Sequence, residues 1–493
     1  MRAASFASGD DTLFIGIDLG TGGVRALAAG TTGQVVAHCE VALEPALPTR
    51  IEGGHEQDPL NWWEAVCQAL GELMQALDAA GVSPQALRAL AVDGTSGTLV
   101  CLDREGQPAR SALMYNDARA RIEAAELTDQ AEDFCQRLGY RFEASFALAK
   151  IAWVQRHEPG VFERTFCFAH QADYIQGCLI GETGTADYSN ALKTGYDLIE
   201  ECWPQWILQL PGVGERLPRI VAPGTRVGQV GRVAARQTGL PQGLAVVSGA
   251  TDGTAACLAS GVQRIGDYNT TLGTTLVFKG ISRQLVRHPE GLVYCHKLPG
   301  GYWLPGAASN TGGEWIETLF PAADIQSMDV GARPYLPSRH IAYPLARQGE
   351  RFPFRAGAAK GFCIPEPVSE TERYAAHLQG VALVERLGYQ VLDQVAGTSG
   401  GEVFSTGGGS RSPVWMQCRA DATGRRMHLP ACPESALGCA ILAAAGGFYG
   451  DLWVAVQNMV RIEKSFEPNP AHADRYGELF DGFCAEIGKR GYK

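Results

Sequence analysis

Four short stretches of this chain combine carboxylates or hydroxyls with glycines in spacings that suit the handling of phosphate. In the first, Asp18-Leu19-Gly20-Thr21-Gly22-Gly23, a carboxylate ends an apolar run, Leu13 to Ile17, and a glycine turn follows. Glycines let backbone N–H groups approach an anion closely, and Thr21 adds a hydroxyl donor. Asp18 in such a place suits a hydrated magnesium ion carried by phosphates, and Arg25 adds positive charge nearby. Alone, the stretch is equally well a plain glycine hairpin with an exposed Asp. The second, Thr270-Thr271-Leu272-Gly273-Thr274-Thr275, gathers four threonines around one glycine, enough to cradle phosphate, although β-branched strand filling produces the same letters.

The third stretch, Gly407-Gly408-Gly409-Ser410, follows a short apolar run and lets a flat ligand lie against bare backbone; a tight strand-to-helix turn also uses such glycines. The fourth, Gly249-Ala250-Thr251-Asp252-Gly253-Thr254, places Asp252 where a base could take a proton from a hydroxyl, or where an Asp simply caps a helix. Together, in this order, the four match what phosphoryl transfer needs: positioning, charge neutralisation and a base to guide the hydroxyl proton. No G-x-x-x-x-G-K-[ST] loop and no H-R-D with a downstream D-F-G offers another route to that chemistry.

The elements that must hold these residues can be read from periodicity. Leu13–Ile17, Val24–Ala29 and Val35–Leu43, separated by Gly-containing turns, predict a three-stranded meander. Asp58-Pro59 opens a helix whose apolar stripe is Trp63, Val66, Leu70, Leu73 or Met74, and Leu77, stopped by Gly81. Leu87–Val92 is a buried strand running into Asp93-Gly94-Thr95-Ser96-Gly97-Thr98. A similar order restarts near Gly266, with a strand–turn–strand over 268–279, a helix over 377–395 and the strand 403–405. Two such halves about 250 residues apart point to duplication rather than a solenoid. The fold class expected is α/β, two actin-like (ribonuclease-H-like) domains: 13–258 for sugar and catalysis, 259–450 for nucleotide, and a helical extension over 451–493. The Pro- and Arg-rich segment 333–355 reads as an ordered surface loop.

Composition narrows the function classes. Apolar residues are 45% and charged residues 19%, ordinary for a globular chain, and a formal charge of −11 argues against a nucleic-acid partner. The fourteen cysteines form no C-x-x-C, so reduced thiols in a cytoplasmic enzyme are expected rather than a zinc or redox site. The start, Met1 to Thr12, lacks a secretory pattern, and no apolar run reaches 18 residues, so no membrane association is expected.

These residues resemble the FGGY family of carbohydrate kinases from Phe14 to about Tyr449. Ile17 to Thr21 resembles its first phosphate motif, Glu56-Gln57-Asp58-Pro59 with Trp62-Trp63 a further family segment, and Thr271 to Thr274 its second phosphate motif. Ser145 to Trp153, containing Lys150, resembles the first signature, with Ala147 where Pro, Ser or Thr is usual; Gly407 to Ser412 with Trp415, Gln417 and Asp421 resembles the adenosine motif, with Ser412 where several members carry Asn. The resemblance implies ATP and Mg2+ as cofactors and two domains closing over a cleft. It also implies Asp252 as general base, with Asp18 supporting the metal and the reacting hydroxyl. Thr21, Gly22, Arg25, Gly273, Thr274, Gly313, Gly408, Gly409 and Ser412 are then expected at the nucleotide. Xylulokinases tend to show Gln-Met-His-Gly after the fourth strand. Asp93 to Thr98, Tyr115 to Asp117, Asp187 to Lys193 and Gly306 to Asn310 here look instead like the cyanobacterial and plant D-ribulose kinases, with Ser96 facing the sugar. D-ribulose is the expected substrate and D-xylulose the second choice, with a homodimer left open; an actin-like ATPase switch or chaperone and a catalytically silent sugar-binding regulator are the rivals from other classes.

Overall fold

The computed structural model describes residues 12–44, 49, 51–321 and 324–493, so of the first twelve residues considered above all but Thr12 lie outside the described residues. The chain divides into two compact units. Unit 1 takes residues to Ala259, His296–Gly301 and Glu434–Arg461; unit 2 takes Ser260–Cys295, Tyr302–Pro433 and Ile462–Lys493.

In unit 1, β1 (Leu13–Leu19), β2 (Gly23–Gly30) and β3 (Val35–Ala42) form the expected antiparallel meander. Helix α1 (Pro59–Ala79) follows, then β4 (Leu87–Gly94), which returns parallel to β1 on its other side. Among the elements after it are helices α2 (Ala147–His157) and α3 (Gln171–Ile180) and then β5 (Arg226–Gln229), β6 (Ala245–Val247) and α4 (Asp252–Ser260). The sheet order is β5-β6-β4-β1-β2-β3. Every residue of β1 is buried because both sheet faces are covered. On one face α1 inserts Trp62, Val66, Leu70, Leu73 and Leu77 against Ile15, Ile17, Leu90 and Val92. On the other the helix Ser435–Ala444 lies so close that a Cβ on Gly16 would fall 1.7 Å from the Ala436 carbonyl oxygen. Asp58 caps α1 through the Leu60 N–H and Pro59 begins it, as expected. The buried stripe, however, starts at Trp62; Trp63 is half-buried and reaches Gln237 instead. Each large side chain enclosed this way contributes about 1.5–3 kcal/mol.

Unit 2 repeats the scheme. Strands β7 (Tyr268–Leu272), β8 (Leu276–Gly280) and β9 (Tyr302–Ser309) are antiparallel neighbours. Helices α5 (Glu314–Leu319) and α6 (Glu370–Ala396) precede β10 (Val403–Thr406), which lies parallel to β7. Helix α7 (Pro413–Thr423), β11 (Met427–Pro430), β12 (Ile462–Phe466) and α8 (Ala473–Lys489) follow, and six of the seven strands of this sheet lie in the order β9-β8-β7-β10-β11-β12. The run β9-β8-β7-β10 repeats β3-β2-β1-β4 of unit 1, as a duplicated architecture requires, while the last two strands of each run come in opposite chain order.

Three expectations need correction. Helix α6 begins seven residues before His377, where Ser369 Oγ accepts the Glu372 N–H, a cap followed by a polar first turn without apolar periodicity. Segment 333–355 is no surface loop: Ala342, Tyr343, Glu350 and Phe352 are buried. The tail is not one helical extension, since Leu452–Met459 groups with unit 1 while 462–493 joins unit 2 and supplies β12. Among the described residues no single helix is long and apolar enough to cross a membrane.

Candidate active site

In unit 1 the parallel strands end together. Asp18 on β1 stands in register with Asp93 on β4, and Gly94 bridges to Thr251, the residue before Asp252. Gly249 makes this approach possible, because a Cβ there would lie 1.8 Å from the Val92 carbonyl oxygen. Asp252 opens α4 and its Oδ1 accepts the Gly253 N–H at 2.6 Å. The turn before it is tied to the Tyr188–Ala191 helix by the Thr251 N–H donating to Ser189 Oγ at 3.0 Å.

Asp93 was not among the residues singled out for chemistry, yet it sits at the centre of this sheet end, fully buried. The Cys439 thiol donates to its Oδ2 at 3.1 Å. Burial first, then the neighbouring Asp18 and Asp252 carboxylates, push its pKa well above the usual carboxylate range. The signal was available: like Asp18, it is an Asp closing a buried apolar strand. Asp18 Oδ2 receives Arg25 Nη1 at 3.3 Å, and Arg25 also meets Glu40 at 2.9 Å, so its charge is shared between two carboxylates. Thr21 and Gly22 are exposed at the β1–β2 turn, where Gln57 Nε2 donates to the Thr21 carbonyl at 2.8 Å.

The loop after β4 is fastened from several directions. Gln171 Oε1 accepts the Thr95 N–H at 2.8 Å, and Lys193 Nζ donates to the Ser96 carbonyl at 3.3 Å. Lys150, wholly buried on α2, donates to the carbonyls of Gly97 and Met114 at 2.7 Å and of Ser145 at 3.1 Å. Burial and then the Lys193 ammonium pull its pKa well down. Among the described residues Ser96 Oγ finds no hydrogen-bond partner in its buried position.

Unit 2 gathers a different set. The tip Gly273-Thr274 is clasped by the turn before α5: the Gly313 N–H donates to the Gly273 carbonyl at 2.7 Å and Glu314 N–H to that of Thr274 at 3.2 Å. The buried Glu350 carboxylate fixes this turn, accepting from Ser309 Oγ and Thr311 Oγ1 at 2.9 Å and from the Asn310 N–H at 2.6 Å. On the other side, Gly407 leaves β10 with φ +85°, pressed against the Leu272 backbone, a place only glycine fills without strain. Gly273, Thr274, Gly313, Gly408, Gly409 and Ser412 all line one cavity of about 740 Å³, with Ile316, Tyr374 and Trp415 as apolar wall. Ser412 Oγ caps α7 by accepting the Trp415 N–H at 3.0 Å, which leaves its own O–H to donate. Bare backbone beside an apolar wall suits a flat base and its phosphates. Of the nine residues expected at the nucleotide, these six share the cavity, while Thr21, Gly22 and Arg25 belong to unit 1.

His377 stands behind that wall, 5.1 Å from the Trp315 ring, which in turn packs 5.2 Å from Tyr374 and 6.1 Å from Trp415. Burial pulls its pKa down to about 4. A histidine kept neutral in the fold contributes stability that is present above its unfolded pKa of about 6.5 and withdrawn as pH falls through about 4. The difference corresponds to roughly 3 kcal/mol. Urea unfolding of wild type and His377→Leu at pH 7, 5.5 and 4 should show the wild type losing that much more toward acid; parallel losses would contradict it.

Two α/β units that share the same run of their first four strands, one ending in convergent aspartates and one in a glycine-lined cavity, define the actin-like class of phosphotransferases. Comparison with known proteins places the chain within it. The N-terminal domain of the FGGY family of carbohydrate kinases matches residues 13–259 and the C-terminal domain of that family matches 268–447. The chain belongs to the FGGY family of carbohydrate kinases, and it is a sugar kinase. It is 27% identical to a xylulose kinase of Staphylococcus epidermidis, covering 96% of this chain and 95% of that one. It is 28% identical to an autoinducer-2 kinase of Klebsiella pneumoniae, covering 94% and 92%. The xylulose kinase structure from Rhodospirillum rubrum superposes with a TM-score of 0.84 at 29% identity, over 97% of this chain and 98% of the other.

Proposed function

We propose that this sugar kinase transfers the terminal phosphoryl group of ATP to a ketopentose, converting D-ribulose to D-ribulose 5-phosphate. The observation that carries the choice of sugar is the loop 93–98: a buried Asp93, its pKa raised by burial, and the Ser96 hydroxyl, unpartnered among the described residues, stand where a Gln-Met-His-Gly would mark a xylulokinase. In the proposed reaction Asp252 takes the proton of the reacting hydroxyl, and Ser96 and Asp18 hold the sugar. The unit 2 cavity holds the nucleotide.

Among the described residues no cluster of three or more His, Cys, Asp or Glu could hold a metal by itself. Magnesium commonly keeps its waters and binds through one or two carboxylates plus substrate phosphates, so the single Asp18 fits an ion that arrives with the nucleotide. Such an ion would neutralise phosphate charge when bound. Arg25 next to Asp18 adds positive charge at the same turn.

D-Xylulose is the second reading, favoured by the xylulose kinases among the relatives. ADP release measured with D-ribulose, D-xylulose, L-ribulose, glycerol, gluconate and autoinducer-2 separates the two. The reading expects the highest kcat/KM with D-ribulose; equal, very poor rates with every ketopentose would defeat it.

A further inference from the structure

Beneath the unit 2 cavity lies an ion pair that reaches no water. Arg419 on α7 and Glu385 on α6 have side-chain exposures of 0% each. Their contact is bidentate: Nε donates to Oε2 and Nη2 to Oε1, both at 2.7 Å. A buried pair of this kind contributes little net stability, because desolvation of both charges offsets most of their attraction. Its effect has to be sought in what else it binds.

Both ends of the pair continue into polar chains, and each chain stops at a nucleotide loop. From Glu385, the Tyr389 hydroxyl donates to Oε1 at 2.5 Å, and Thr270 Oγ1 lies 2.6 Å from that hydroxyl. Thr270 is on β7, three residues before Gly273. From Arg419, Nη1 donates to Ser405 Oγ at 2.6 Å; Ser405 Oγ lies 2.7 Å from Ser410 Oγ, which donates to the Thr406 carbonyl at 2.7 Å. Ser405 and Thr406 end β10, and Ser410 closes the turn that begins with Gly407 to Gly409.

Every hydroxyl proton in the series has one acceptor. Tyr389 and Ser410 give theirs to Glu385 and to a carbonyl, so Thr270 must give to Tyr389 and Ser405 to Ser410. A fully satisfied buried network of this kind specifies one arrangement of the groups that make it.

We propose that the Arg419–Glu385 pair is a positioning device for the nucleotide, holding the Gly273-Thr274 tip and the Gly407–Gly409 turn in the one relative placement that a base and its phosphates fit. The proposal rests on the nucleotide reading of the cavity. Neither residue lines that cavity, so both act through the loops.

The test replaces the pair by apolar side chains of similar length, Glu385→Leu with Arg419→Met, and titrates ADP with magnesium by calorimetry. Because apolar replacement of such pairs is commonly tolerated, the thermal midpoint should stay close to that of the wild type. The affinity for ADP should fall about tenfold, with the sugar KM unchanged. Ser405→Ala, which trims one chain without burying a charge, should shift ADP affinity the same way by a smaller factor, and it decides the matter if the double variant does not fold. Wild-type ADP affinity in a folded double variant, or in Ser405→Ala when only that variant folds, overturns the proposal. Failure of the wild-type protein itself to bind ADP would instead retire the nucleotide reading of the cavity, and the proposal with it.

Discussion

Asp252→Asn is expected to lower sugar-dependent ADP release by about 10²–10⁴-fold, the usual contribution of a positioned general base, with little change in sugar affinity. The amide keeps the shape of the side chain and can still accept the Gly253 N–H, so α4 begins where it did. What it loses is the capacity to take a proton. Asp93→Asn is the informative control. Because burial and two neighbouring carboxylates favour the protonated form of Asp93, an amide there mimics that form, and its oxygen can still accept the Cys439 thiol. Asp93→Asn should therefore remain within roughly a factor of ten of wild-type turnover, far above the loss for the base. Steady-state kinetics for the two variants, with sugar binding by calorimetry, checks both. If Asp252→Asn keeps near-normal turnover, Asp252 is a helix residue and nothing more. If Asp93→Asn falls as far as Asp252→Asn, the protonated reading of Asp93 is wrong.

What was legible in the sequence follows a physical pattern. The β1–β2–β3 meander was readable because glycine turns punctuate short apolar runs, and the β7–β8 hairpin for the same reason. Gly273, Thr274, Gly408 and Gly409 could be named in advance because glycines and hydroxyls at strand ends carry their own signature, Gly313 and Ser412 only through the family resemblance, and the structure draws all six to one cavity. Features that depend on tertiary burial were not readable. The choice between Trp62 and Trp63 is a rotation of about 100° around a helix, which periodicity over a few turns does not resolve. Segment 333–355 looked like a surface loop because its Pro and Arg residues hide Tyr343, Glu350 and Phe352, whose burial is visible only in the packed unit. The place of Asp93 at the end of a buried strand was readable, but its raised pKa was not, because that shift arises from neighbours distant in sequence. Asp18 and Asp252 meet it only through strand register.

Lys150→Met is the substitution expected to hurt unit 1 most without touching a carboxylate. The lysine lies among Leu148, Ala149 and Ile151 on a helix otherwise built for burial, and its ammonium supplies the three donors that the carbonyls of Gly97, Met114 and Ser145 require. Methionine fills the same volume and donates nothing. Each enclosed acceptor left without a donor costs about 1–3 kcal/mol, partly offset because no charge is then buried. A net loss of several kcal/mol is a large share of the stability of an ordinary domain. Gly97 follows Ser96 directly, and with φ +89° its carbonyl direction depends on the lysine that receives it. The sugar KM should therefore rise roughly tenfold or more, while ADP affinity, set by residues of unit 2, stays at the wild-type value. A variant that melts earlier yet keeps its sugar KM would make Lys150 a support of the fold alone. One that loses sugar and nucleotide affinity equally would mean general unfolding rather than a slackened sugar loop. The expected split between the two substrates is the signature of a lysine whose only task is to hold a loop in place.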